Sequence, residues 1–260
     1  MAYTPSPFRV SKYGKYLSYY MEFMKRGDFQ SVSAAVRYVL FKQLPRRQRV
    51  VTTRMGTFRF REGTTDFQFA NFSYENEIKK YLAQIVPDTG LFIDIGACIG
   101  EYAIWLSRQG VRSIAIEPVN HAAIRENIAL NNINPAYIKV LNCAVGNTDR
   151  KVSFHVPEGV TSSSYINEAE AGDIDCRRLD DLIDPHSIDP EKITVIKLDV
   201  EGMELEVLEG AEQLIRQVRH LQIIYEYCSC GDPAIRALLD KYATFSYRDL
   251  DGVNALAVKM

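Results

Sequence analysis

A chain of 260 residues, 47% hydrophobic and 25% charged, suits one large α/β domain, alone or with a modest extension, and reads as a soluble globular protein. A net charge of -2 gives no overall drive toward nucleic acid or an anionic membrane. No apolar run approaches the ~20 residues of a membrane span, and the start, Met1 to Arg9, lacks the apolar core of a signal peptide. The five cysteines are scattered, and Cys228-Ser-Cys230 is too closely spaced for a zinc pair. Five reduced thiols in a cytoplasmic protein, with no dedicated metal site, are expected.

Phe8 to Leu44 reads as a helical, tyrosine-rich preface. Tyr13, Tyr16, Leu17, Tyr20 and Met24 recur every three or four residues and define one apolar-aromatic face. That face is expected to be buried against the rest of the chain or to form a homodimer with a second copy. A second helix is expected over Val32 to Phe41, with Val36, Val39 and Leu40 inward and Pro45 closing it. The basic run Pro45 to Arg49 reads as a solvated linker, which divides the chain into an extension, 1–49, and a domain, 50–260.

Alternation from Val50, broken at Gly56, predicts a hairpin, and Glu75 to Val86 a helix. Leu91 to Ile95 reads as a buried parallel strand, followed by the glycine turn Gly96 to Gly100 and a helix from Glu101 to Arg108. Ser113 to Glu117, Ile138 to Val145, Lys151 to Val156, Ile193 to Asp199 and Leu221 to Glu226 read as further strands. Helices are expected over His121 to Leu130, Leu205 to Arg216 and Pro233 to Tyr242, and Thr161 to Tyr165 as a loop. Thr244 to Tyr247 and Asn254 to Val258 are expected to form a closing hairpin across Asp249 to Gly252. Strands alternating with helices predict one mainly parallel sheet with helices on both faces.

The spacing Asp94-x-Gly96-x-x-x-Gly100 is not that of a pyrophosphate loop, and an acid inside it suits an ammonium or hydroxyl groups instead. Glu117, at the tip of the next strand, is placed to accept hydrogen bonds from ribose hydroxyls. Together they fit an adenosine carrying an amino-acid tail, S-adenosylmethionine. Asp94, Glu117, Asp199 and Glu226 all end apolar strands, and in an open parallel sheet such ends converge on one edge. A hydroxyl acceptor needs a positioned base, for which Asp199, Glu201 and Glu226 are the candidates, in that order. His155 reads as structural.

Four stretches carry a family resemblance: Phe92 to Gly100, Ala115 to Pro118, Asn127 to Asn131, and Val195 to Gly202 followed by Val207 to Ala211. The chain from Ile78 to Glu226 resembles the FkbM family of S-adenosylmethionine-dependent methyltransferases, most specifically in Lys197-Leu-Asp-Val-Glu-Gly202. The resemblance implies a Rossmann-like class I methyltransferase fold with a seven-stranded sheet and a helical N-terminal extension. It implies that Asp94, Gly96, Ala97 and Gly100 hold the methionine end and Glu117 the ribose, with Pro118 also in the cofactor site. It also puts Cys143 and Ala144 near the adenine, and Asp199 at the point of methyl transfer. The implied acceptor is a hydroxyl on a small molecule or glycan. Two rival readings are an RNA base methyltransferase, disfavoured by the charge balance, and a non-catalytic cofactor-binding domain whose N-terminal helices dock a partner.

Overall fold

A computed structural model describes residues 13–155, 165–166 and 172–260. Two helices open it, α1 (Tyr13–Lys25) and α2 (Phe29–Phe41), the second capped by Asp28, whose side chain accepts from the Ser31 N–H. The hairpin β1 (Arg49–Thr52) and β2 (Thr57–Phe60) follows, then α3 (Asp66–Phe69) and α4 (Asn76–Ile85). The central run is β3 (Thr89–Ile95), α5 (Glu101–Ser107), β4 (Arg112–Ile116), α6 (His121–Leu130) and β5 (Ile138–Leu141). Four short strands come next: β6 (Ala144–Val145), β7 (Arg150–Val152), β8 (Phe154–His155) and β9 (Tyr165–Ile166). Then come β10 (Ile174–Arg177), α7 (Leu179–Leu182), β11 (Ile193–Leu198), α8 (Glu204–Glu209) and α9 (Glu212–Gln217). The chain closes on β12 (Leu221–Glu226), α10 (Asp232–Tyr242), β13 (Phe245–Asp249) and β14 (Asn254–Lys259).

Seven strands form the main sheet in the order β5-β4-β3-β11-β12-β14-β13, with only β14 running opposite to the other six. The mainly parallel α/β fold expected from the strand–helix alternation is the one observed. Successive side chains of each strand point to opposite faces. Phe92, Val195 and Ile224 therefore pack into one core with Ile78, Leu82 and Ile104, while Ile93, Ile196 and Ile223 pack into another with Leu208, Ile215 and Ile235. A sheet buried on both faces requires uninterrupted apolar strands, which is why these runs are so plain in the sequence.

The N-terminal helices add Phe23 and Ala35 to the first of these cores. Tyr20 packs against it, but Leu17 and Met24 are exposed, and the side chains of Tyr13 and Tyr16 lie outside the described residues. The inward side of α2 is Ser31 and Ala35. Leu40, expected inward, is exposed, because small residues occupy the contact that a large one was expected to fill.

Asn127 on α6 and Asn131 just past its end bind the hairpin through its backbone. Asn127 accepts from the Arg59 N–H and Asn131 from the Thr57 N–H, both at 2.8 Å, and Asn127 also donates to the Ile99 carbonyl of the glycine turn. The helix expected over Leu205 to Arg216 breaks into α8 and α9. At the break a side chain on Gly210 would lie 2.0 Å from the Gly146 carbonyl, and Asp180 caps the backbone N–H groups of Gln213 and Leu214. The strand expected over Ile138 to Val145 also divides, with β6 leaving the main sheet to pair with β10. Lys151 to Val156 divides into β7 and β8, and Val156 and residues 161–164 of the expected loop lie outside the described residues.

Candidate active site

Register brings Ile116, Ile95, Leu198 and Tyr225 side by side on four adjacent parallel strands. The next residues along, Glu117, Gly96, Asp199 and Glu226, stand in a row at the carboxyl edge, and all four line one cavity. Pro118, Cys143, Ala144 and Glu201 line it as well. Asp94 pairs in register with Lys197, two residues below Gly96, so it underlies the floor of the cavity. Ala97 and Gly100 shape the turn: the N–H groups of Gly96 and Ala97 both donate to the Ile116 carbonyl, at 3.0 and 3.2 Å. Gly100, at φ +79°, packs on Ile124, where a Cβ would come within 2.7 Å of the Ile124 side chain.

Glu117 is buried and anchored by backbone. Its Oε1 accepts from the N–H groups of Val119 and Asn120 at 2.8 and 2.9 Å, and its Oε2 from that of Cys98 at 3.0 Å. Burial pushes its pKa up, against the pull of these three donors. A carboxylate offers about four acceptor positions, so these three bonds leave one on Oε2.

Lys197 is 4% exposed, and its Nζ donates to Asp199 Oδ2 at 2.9 Å. Burial opposes its charge, but Asp199, Glu75 and Asp94 more than reverse this and hold its pKa well above the ordinary lysine value. Glu226 stands next to Asp199 at the strand ends, and its pKa is pushed up to about 8 by burial and by the charges of Asp199 and Glu201. Glu101, the first residue of α5, lines the cavity, and burial raises its pKa to about 8. Burial likewise raises Asp94 to about 7, with Lys197 pulling the other way. Both Asp94 oxygens and Glu101 Oε2 have no hydrogen-bond partner among the described residues.

The far wall comes from the N-terminal third: Tyr38 of α2, Gln68 and Phe69 of α3, then Tyr74 and Glu75. Glu75 takes a left-handed φ of +49° and accepts from the Tyr102 hydroxyl at 2.7 Å. Beneath it the fully buried Lys79 donates to the carbonyls of Asn71 and Tyr74, and burial lowers its pKa to about 8. Arg61 grips Asp66 with two parallel bonds of 2.9 Å and reaches Asn120 at 2.8 Å, tying this wall to the Glu117 turn. Of the five non-glycine residues with left-handed φ among the described residues, Glu75, Cys98 and Glu201 line the cavity. Such strain concentrates where surrounding structure holds a site in shape. Sequence reading missed Glu75, Lys79, Glu101 and the aromatic wall. Among these, only Glu101, an acid directly after the glycine turn, carried a readable signal.

Two buried acids, Asp94 and Glu101, and the half-buried Glu226 have raised pKa values that set the pH dependence of stability. Between their ordinary values and about 7 to 8 the folded chain holds more protons than the unfolded one, so stability falls as pH rises through that window. The expected melting temperature of the ligand-free protein is therefore higher near pH 5 than near pH 8, with the drop reduced in Asp94→Asn. A flat profile from differential scanning calorimetry would remove the basis for these shifts.

The fold is that of a Rossmann-like methyltransferase domain, with a row of acids at its strand ends. Residues 94–247 match the methyltransferase FkbM domain, and the chain belongs to that family. It is 26% identical over 213 residues to methyltransferase sdnD of Sordaria araneosa, covering 66% of this chain and 80% of that protein. Among solved structures it is similar to an S-adenosylmethionine-dependent methyltransferase from Agrobacterium tumefaciens (TM-score 0.49, 9% identity, 84% of this chain and 72% of that one). It is also similar to a 16S rRNA N2 G1207 methyltransferase of T. thermophilus in complex with AdoMet and guanosine (TM-score 0.46, 13% identity, 84% and 52%). These two similarities extend only to the outline of the domain.

Proposed function

We propose that this chain transfers a methyl group from S-adenosylmethionine to a hydroxyl oxygen of a small molecule or glycan. The observation that carries this reading is the Lys197–Asp199–Glu226 chain, set in the same cavity as Glu117. The residues present fit the cofactor. Glu117 keeps an acceptor position for a ribose hydroxyl, and the orphaned oxygens of Glu101 and Asp94 suit an ammonium group. Ile116, Pro118, Cys143 and Ala144 supply an apolar lining for a purine. When bound, the cofactor supplies a methyl group on a sulfonium that is already a good electrophile.

The protein's own work is then positioning and proton transfer. Asp199, held by the Lys197 ammonium, takes the proton of the acceptor hydroxyl as its oxygen attacks. Glu226 sits beside it as the neutral donor or as an alternative proton store. Tyr38, Phe69 and Tyr74 form the wall against which the acceptor would stack. The surplus of acids around the cavity disfavours a polyanionic acceptor such as RNA.

The test is mass spectrometry after incubating the protein with methyl-labelled cofactor and either a metabolite extract or total RNA. Label in RNA bases, or no label transferred to any acceptor, would overturn the reading. For the cofactor site, Glu117→Gln is expected to weaken binding by about 10- to 100-fold, the loss of a charged hydrogen bond. Calorimetry with the demethylated cofactor checks it, and an unchanged affinity would move the ribose elsewhere.

A further inference from the structure

The two N-terminal helices carry an exposed face that neither the core nor the cavity uses. Of the ten large apolar side chains exposed among the described residues, seven lie between Leu17 and Val50. Leu17, Met21 and Met24, spaced four and three apart, share one side of α1. Phe29 and Leu40, three turns apart, share one side of α2, with Phe41 beside them. Phe29 and Phe41 are 68% and 65% exposed, too much for side chains that merely edge a core.

The charge of this segment is as uneven as its polarity. Residues 13–50 hold eight lysines and arginines against two acids, a net charge of +6, whereas residues 51–260 hold 21 against 31, a net charge of -10. Both acids of the segment are already paired, Glu22 with Arg26 and Asp28 with Arg49. Lys25, Arg37, Arg46 and Arg47 are exposed beside the apolar residues.

The geometry points to an anionic lipid surface as the occupant of this face, with α1 and α2 lying in the interface rather than crossing it. No helix among the described residues is long and apolar enough to span a membrane. Apolar side chains entering the boundary, plus cations attracted to anionic headgroups, are the two signals that peripheral binding requires. A second copy fits less well. A two-fold interface would set the +6 segment against itself, and docking it on the acidic domain of the next copy is a heterologous contact, which builds a ring or a filament and not a two-fold dimer. RNA would satisfy the cations but leave the phenylalanines and methionines in water. On α2, Tyr38 lines the cavity while Arg37, Leu40 and Phe41 face outward, so the docked surface would lie one helix away from the site.

The test is co-sedimentation of the full chain with vesicles of phosphatidylglycerol and phosphatidylcholine, and with phosphatidylcholine alone. Binding to the anionic vesicles only, weakened by salt, is expected. Arg46→Glu/Arg47→Glu and Phe29→Ser/Phe41→Ser should each lower the partition coefficient by about 10-fold or more, with cofactor affinity unchanged. The arginine pair lies outside both helices, so that variant tests the proposal even where the phenylalanine variant folds poorly. Failure of the wild type to sediment, or equal sedimentation of the arginine variant, would overturn the proposal. So would a dimer, seen by light scattering, that Phe29→Ser/Phe41→Ser dissolves, which would assign the face to a second copy.

Discussion

Gly96→Ala is expected to abolish measurable cofactor binding and to lower the melting temperature far more than Gly110→Ala. Both glycines have left-handed backbones, at φ +83° and +89°. That conformation costs a non-glycine residue roughly 1–2 kcal/mol, and both variants bear this cost. Only at Gly96 does the added Cβ meet protein: it would lie 1.9 Å from the Asp199 carbonyl oxygen, whereas nothing stands within 4 Å of Gly110. The obstacle at Gly96 is backbone at the end of β11, held there by the Asp199 N–H donating to the Ile95 carbonyl at 3.1 Å. Relief requires the glycine turn and the end of β11 to part, which also displaces the Asp199 side chain. A further loss of about 3 kcal/mol, within the upper range for strained substitutions, corresponds to roughly 6–12 °C in a domain of this size. The two variants measured together separate backbone conformation from contact. Equal melting temperatures would mean that β3 and β11 are not as closely joined at this point as the structure has them.

The floor of the site was legible in the sequence and its far wall was not, for a physical reason. Glu117, Asp199 and Glu226 each follow an apolar run, and parallel topology alone brings the ends of such runs to one edge. Glu75 reaches the same cavity only because the Tyr102 hydroxyl holds it across 27 residues of sequence. No local pattern encodes that contact. Lys79 lies on α4 between Ile78 and Leu82 and reads as a surface lysine until the carbonyls of Asn71 and Tyr74 are seen around its ammonium. The break between α8 and α9 is equally silent, since Gly210 is constrained by Gly146, a residue distant in sequence. Leu40 shows the opposite failure: helical periodicity marked a face, but the side that packs is lined by Ser31 and Ala35.

Asp199→Asn is expected to reduce turnover by about 10²–10⁴-fold, the usual contribution of a positioned base, with cofactor affinity within a few-fold of wild type. The substitution preserves shape and one acceptor oxygen for Lys197 but removes the basicity. Glu226→Gln separates the two acids, because the charge of Asp199 is one of the causes that raise Glu226. Glu226 is pushed up to about 8, so below that pH it is protonated and can donate to Asp199, occupying an oxygen that would otherwise face the acceptor. As pH rises through about 8 that donor is lost, and the wild-type rate should climb along a limb with an apparent pKa near 8. Glu226→Gln keeps a donor at every pH. Its rate should therefore lose this limb and plateau at the lower, neutral-pH level, a change of shape that a merely structural role for Glu226 would not produce. Single-turnover rates across pH, with cofactor saturating, make the comparison. A severe loss in Glu226→Gln beside a mild one in Asp199→Asn would reverse the two roles and make Glu226 the base.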